Sequence, residues 1–297
     1  MTPRFPDFKP LAIEDRQEIH SLLWRYQPET SELTFSNLFI WRKHYRFHWS
    51  IHQEWLILLS MPDSHDIFAL PPIGGPGRSG VSRMLLSWLK TEKGVTDARI
   101  ERADQRLVSE LSPVDFQIQP VREQFDYLYR TSDLISLPGG KYHAKRNHIN
   151  AFLRSNSYRY LPLQTEHIAA CLKLADEWCE LHSCADDMGL SGEWDAVREA
   201  LHHMPELSLE GGIIMMDNNV TAFTLGERLN EQTAVIHIEK ADMEIRGLYN
   251  MINQQFCEHR WQDVSFINRE QDLGDPGLRA AKQSYNPLRL IEKFTIR

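Results

Sequence analysis

Two stretches near the end of the chain, TAVIHIEKA (233–241) and VSFINRE (264–270), begin apolar and finish in side chains that move protons or hold charge. Read as a strand, the first puts Val235, His237 and Glu239 on one face and Ile236, Ile238 and Lys240 on the other. In the second, Phe266, Asn268 and Glu270 face away from Ile267 and Arg269. If the two strands are neighbours, one end of a sheet gathers Glu239, Lys240, Asn268, Arg269 and Glu270. Ligands of open α/β sheets bind at the carboxyl ends of strands. Carboxylates beside an imidazole suit general acid–base chemistry. The candidate bases are therefore Glu239 and Glu270, with His237. Asn268, Arg269, Lys240, Asp272 and Lys282 are candidate substrate-binding groups, and Tyr285 is the candidate proton donor to a leaving group. The competing expectation is a closed ion-pair network, Lys240 with Glu270 and Arg269 with Asp272.

A second chemistry is anion binding. GGKYHAKRNHINAFLRSNSYRY carries Lys141, Lys145, Arg146, Arg154 and Arg159 with no acid among them, and Ile149, Phe152 and Leu153 give it an apolar stripe. In a chain of net charge -8, a helix this basic suits a phosphate-rich cofactor, an RNA end or a lipid headgroup. The plainer expectation is a bridging helix with a solvated face. Arg246-Gly247 opens a further helix whose first N–H groups could receive a phosphate, although Asp242 and Glu244 would repel one. PPIGGPGRSG, with Arg78, lacks the order of a P-loop and reads as a turn. Cys179, His182 and Cys184 fall on an amphipathic helix, so no metal site is expected. No nucleophile motif is present, and Cys257 among Ile252 and Phe256 reads as core. TFSNLFIWRKHYRFHW reads as core and hairpin, with Asn37 and Arg42 able to face a groove.

The elements that must hold these groups follow from the patterning. At 297 residues, 42% hydrophobic and 25% charged, the chain suits two globular domains. Of the four cysteines, Cys171, Cys179 and Cys184 fall close together but none forms a C-x-x-C pair, which suggests reduced thiols and a cytoplasmic location. No signal peptide and no long apolar run is visible in the sequence. In the first half, Pro62, Asp63 and Ser64 form a turn between two expected strands. Both halves end in the same order, strand, loop, helix, strand, helix, strand. Gly80 and Gly247, Met84 and Met251, Ile100 and Ile267, Arg102 and Arg269 share one constant spacing. That pattern predicts a duplicated α/β (α+β) unit, each a mixed sheet flanked by helices. The expected division is 1–137, a basic linker helix over 138–160, and 161–297.

The motifs EGGIIMMDNNVTAFTLGERLN, AVIHIEKAD, RGLYNMINQQF and FINREQDLGDPGLRAAKQSYNP, with GGKYHAKRNHINAF and TFSNLFIWRKHY upstream, cover nearly the whole chain. In them the sequence resembles the DUF2156 family, related to the C-terminal domain of phosphatidylglycerol lysyltransferase. The resemblance implies tandem GNAT-like folds akin to the Fem aminoacyl transferases. It also implies acyl or aminoacyl transfer to an amine or hydroxyl, with aminoacyl-tRNA or acyl-CoA as donor and a lipid or small molecule as acceptor. Of the usual acetyl-CoA pyrophosphate loop only Arg246-Gly247 remain. Lys141, Lys145 and Arg146 are then the candidate donor-binding cations. The alternatives are an acetyl-CoA-dependent N-acetyltransferase and a non-catalytic module that grips tRNA or another polyanion.

Overall fold

The structure, a computed structural model, describes residues 1–62, 66–181 and 188–297, with the side chains of 188 and 189 left aside. Asp63, Ser64, His182 and Cys184, named above, lie outside the described residues. The strands are β1 (Lys9–Pro10), β2 (Phe47–His52), β3 (Trp55–Ser60), β4 (Phe68–Ala69), β5 (Ile100–Ala103), β6 (Ile118–Pro120), β7 (Asp126–Arg130), β8 (Arg159–Pro162), β9 (Glu210–Met216), β10 (Asn219–Arg228), β11 (Thr233–Ala241), β12 (Phe266–Asn268), β13 (Arg289–Ile291) and β14 (Phe294–Ile296). The helices are α1 (Arg16–Tyr26), α2 (Phe35–Ile40), α3 (Arg42–Tyr45), α4 (Arg78–Thr91), α5 (Gln105–Val108), α6 (Thr131–Ser136), α7 (His143–Ser155), α8 (Ile168–Leu181), α9 (Met188–His202), α10 (Met204–Leu207), α11 (Leu248–Arg260) and α12 (Pro276–Gln283). Among the described residues no helix is long and apolar enough to cross a membrane.

Two mixed sheets form, in the orders β1-β2-β3-β4-β5-β14-β6 and β13-β7-β12-β11-β10-β9-β8. The chain divides into unit 1 (1–126, 271–274, 290–297) and unit 2 (127–270, 275–289), so the units interleave along the sequence. The terminal run LRLIEKFTI reads as one strand in the sequence but forms two, β13 and β14, in different sheets.

Lys293 between those strands gives the physical reason for the break. It is fully buried in unit 1, donating to Glu32 Oε1 at 2.7 Å and Asp126 Oδ1 at 2.6 Å. A buried ammonium is tolerable only with such partners. Lys293→Met leaves Asp126 buried without its cation and Glu32 with only the more distant Arg102, 3.7 Å away. The expected loss is about 3–5 kcal/mol of unfolding free energy, read as a lower urea midpoint.

The rest of unit 1 packs α4 and α5 against its sheet through Trp55, Ile57, Leu85, Leu89, Ile100, Leu107 and Ile296. The segment expected as core and hairpin begins as a buried helix, α2, capped by Thr34, which accepts from Asn37 N at 3.0 Å, continues through α3, and ends in β2, which pairs antiparallel with β3 as a hairpin. Asn37 is buried and does not face a groove, whereas Arg42 is half-buried and its Nη1 donates to Phe39 O at 2.7 Å. Cys179 is disulfide-bonded, which corrects the reading of four reduced thiols; Cys171 and Cys257 are free and buried.

In unit 2, β9 and β10 meet at Asp217 and Asn218, whose φ of 48° and 64° match the two-residue turn favoured between right-twisted strands. The internal duplication is visible as helix, strand, helix, strand twice along the chain: α4, β5, α5, β6 and α11, β12, α12, β13. Gly77 and Gly247, with φ of 91° and 86°, stand in the same place before α4 and α11. Gly77 is thus the counterpart of Gly247. Gly80, matched to it by spacing, lies inside α4.

Candidate functional site

β12 runs parallel to β11 and pairs Phe266 with Thr233 and Asn268 with Val235. It stops there, while β11 continues to Ala241. The chain leaving β12 therefore carries Arg269 and Glu270 into the space beside the last turn of the longer strand. The positive φ of Glu270, 55°, marks the sharp departure.

Arg269 Nη2 donates to Glu239 Oε1 at 3.0 Å, and Asn253 Nδ2 on α11 donates to Glu239 Oε2 at 3.0 Å. Both carboxylate oxygens are thus engaged. The guanidinium carbon lies 4.9 Å from the Tyr285 ring centre and 5.9 Å from that of Tyr129. Burial alone would lower the Arg269 pKa; Glu239 and the two phenols outweigh it and hold the group charged. Asn250 Nδ2 donates to Tyr285 Oη at 2.6 Å. Burial pushes the Tyr285 phenol up to about 12, with Glu239 adding and Arg269 opposing. From α7, Lys145 sets its Nζ 4.1 Å from the same ring centre. Burial, with Arg269 beside it, lowers Lys145 to about 8. Arg269 Nη1 and Asn253 Oδ1 are buried and have no hydrogen-bond partner. Two basic side chains near one carboxylate, only Arg269 bonded to it, with an unused donor and an unused acceptor, suit a polar, anionic guest.

A second cluster lies on the other side of β11. Pairing with β10 jumps from Leu225–Ile238 to Gly226–Ile236, so His237 is the extra residue of a β-bulge. Simple alternation therefore fails there. Glu239 meets α11, whereas His237 turns toward Glu227. His237 Nδ1 donates to Glu270 Oε1 at 2.7 Å and Nε2 donates to Glu227 Oε1 at 3.0 Å. Against burial, these bonds and charges raise His237 to about 10. An imidazolium giving away both N–H groups has no lone pair, which corrects its expected part as a base.

The other candidates are held as follows. Lys240 Nζ donates to Glu193 Oε1 at 2.7 Å and lies 3.2 Å from the Trp178 ring centre, not at Glu270. Asn268 is fully buried and its Oδ1 accepts from Glu270 N at 2.8 Å. Asp272 falls in unit 1, fully buried, accepting from Arg122 Nη1 at 3.0 Å and Gly274 N at 2.9 Å. Lys282 Nζ donates to the Arg269 carbonyl at 2.5 Å, fixing that peptide. Arg146 Nη1 donates to the carbonyls of Leu137 and Gly139, and Lys141 Nζ is 3.6 Å from Asp133. Of these three α7-region cations, Lys145 alone joins the Arg269 cluster. Asn250, Asn253 and Tyr129 were not singled out from sequence, and no local signal marks them.

The model of a family described as phosphatidylglycerol lysyltransferase, C-terminal, matches residues 24–297. The chain belongs to this family. A conserved protein of unknown function from Bacteroides thetaiotaomicron is similar over 100% of this chain and 99% of its own, at 33% identity and a TM-score of 0.91. The C-terminal domain of a putative lysylphosphatidylglycerol synthetase from Agrobacterium fabrum is similar at 13% identity and a TM-score of 0.68, covering 95% and 90%. A tandem GNAT protein from the clavulanic acid biosynthesis pathway is similar at 12% identity and a TM-score of 0.51, covering 97% of each chain. An uncharacterized protein of Mycoplasmoides gallisepticum is 21% identical over 174 residues, 58% of this chain. The chain matches 56% of that curated relative's length. The fold is a tandem of GNAT-like units, and family and fold together are those of acyl- or aminoacyl-transferases.

Within this phosphatidylglycerol lysyltransferase C-terminal family fold, the helix N-terminus at Gly77 is occupied by a carboxylate of the protein, and the one at Gly247 is closely approached by backbone. In unit 1, Glu110 Oε2 accepts from Gly77 N and Arg78 N at 2.9 and 2.8 Å, and Oε1 accepts from Arg78 Nε at 2.8 Å. Against burial, Arg78 and these amides hold the Glu110 carboxyl below its ordinary value. In unit 2, a Cβ on Gly247 would lie 2.4 Å from the His148 carbonyl oxygen. The backbone of α7 therefore sits against the loop, and Arg246 beside it is exposed. Gly247→Ala combines that clash with a left-handed φ of 86°. It is expected to cost about 2 kcal/mol or more in urea unfolding.

Proposed function

We propose that unit 2 is an acyl- or aminoacyl-transferase, moving an acyl group from a phosphate-rich ester donor of the aminoacyl-tRNA type to an amine or hydroxyl. The Arg269 cluster carries this reading. It brings together two basic side chains, an unused guanidinium N–H and a protonated phenol. Lys145, lowered to about 8, has a neutral fraction near physiological pH, and that fraction takes the proton of the attacking amine or hydroxyl. Arg269 Nη1 offers a donor to the oxyanion as the nucleophile adds to the carbonyl carbon. When the C–O bond breaks, the Tyr285 phenol protonates the leaving alkoxide. Glu239 and Asn253 position Arg269, since both oxygens of Glu239 are already engaged.

Two other readings have less support. A CoA donor would need the loop at Gly247, where the His148 carbonyl stands. A polyanion-gripping module would draw on the cations of the basic helix, yet Arg146 binds backbone carbonyls and Lys141 pairs with Asp133.

The test is transfer of radiolabel from a set of aminoacyl-tRNAs to lipid extracts and small amines. Tyr285→Phe is expected to lower the transfer rate about 100-fold or more while costing only about 1 kcal/mol of unfolding free energy for the lost Asn250 hydrogen bond. Absence of transfer from every donor, or full activity in Tyr285→Phe, overturns the assignment.

A further inference from the structure

α7 is fixed against α11 by the close approach of His148 to Gly247. That contact sets where Lys145, one turn earlier on α7, puts its amine. Nζ lies over the Tyr285 ring, and no carboxylate is within salt-bridge distance of it among the described residues. Arg269, whose buried Nη1 lacks a partner, stacks on the same ring. An amine in this setting faces any acyl donor that the cluster admits.

We propose that Lys145 is itself an acylation site: its Nζ takes the acyl group when no acceptor is bound. Nζ adds to the donor carbonyl carbon, and the bond from that carbon to the leaving oxygen breaks. The proton lost by the attacking nitrogen passes to the departing oxygen through the Tyr285 phenol. The products are an amide at Lys145 and a free alcohol or phosphate. The amide is neutral and holds no free lone pair for proton transfer, so it removes one cation and the base together. Acylation of Lys145 is then a self-limiting off state of the transferase. This rests on the reading of the Arg269 cluster as the transfer site.

The lowered pKa of Lys145 supports the proposal, because the neutral form is the nucleophile.

Full-length protein is treated with acetyl phosphate between pH 7 and 9, and acetylation is mapped by peptide mass spectrometry. Lys173, well exposed on α8, serves as the internal reference. Lys145 is expected to be labelled about tenfold or more faster than Lys173 at pH 7.5, since far more of it is neutral there. Arg269→Met removes the neighbouring cation and is expected to narrow that ratio. Labelling of Lys145 at or below the rate of Lys173 overturns the proposal. The probe needs no native donor, so the two readings fail separately. Preferential labelling without any tRNA-dependent transfer sinks the transferase and leaves the reactive lysine. Transfer with an unreactive Lys145 sinks the acylation site alone.

Discussion

Arg269→Met is expected to abolish acyl transfer and to lower the unfolding free energy by about 3–5 kcal/mol. Two effects combine in one substitution. The guanidinium is the partner of Glu239, and both side chains are largely buried, at 14% and 12% exposure. Removing it strands a carboxylate in a site with little water, which is far costlier than the pair is beneficial. The double variant Arg269→Met with Glu239→Gln separates the effects. The introduced amide keeps the hydrogen bond from Asn253 without the charge, so most of the stability should return while transfer stays absent. Urea unfolding and label transfer read the two outcomes. A single variant that is both stable and active would show that the cluster neither holds the fold nor binds the donor.

The second large effect is a loss of stability with rising pH caused by His237. Its folded pKa of about 10 lies above the ordinary 6.5. The folded state therefore binds a proton more tightly than the unfolded chain. The stabilisation is fully present below about pH 6.5 and fades as pH rises through 10. At most it amounts to about 5 kcal/mol, at 1.36 kcal/mol for each tenfold difference in proton affinity. Between pH 6.5 and 8 the fall should be about 2 kcal/mol. Above pH 8 a second group enters with the opposite sign. Lys145, lowered to about 8, contributes nothing further once neutral in the folded state, while the unfolded chain still binds its proton. Stability then rises toward pH 10.5, partly cancelling the loss. Subtracting the curve of His237→Gln from the wild-type curve isolates the imidazolium. A flat difference between pH 6.5 and 8 would mean that His237 is not held as an imidazolium in the folded state. Lys145→Met should remove the opposing limb above pH 8.

The legibility of this chain follows from what each feature depends on. Local geometry was readable. The polar ends of β11 and β12 show in the sequence because a strand alternates until it leaves its core, and Arg269 and Glu239 do meet there. The duplicated unit was readable because helices and strands impose their own periods. Partner choice was not. Arg269 takes Glu239 rather than Asp272, and Lys240 takes Glu193 rather than Glu270, because residues far apart in sequence are brought within 3.0 Å by packing alone.

The bulge at His237 adds one residue to a ladder. Every face assigned by counting across it is then reversed, and no composition marks the insertion. The exchange of β13 and β14 between sheets was hidden for a similar reason: its determinant is the acid pair that Lys293 finds in unit 1.

Sequence by itself determined the family, the two α/β units and the acidic and basic groups gathered at one strand end. Tertiary structure alone decided that Lys145 is a depressed amine and His237 an imidazolium. Both depend on burial and on the charges packed around a side chain, and neither quantity exists until the chain has folded.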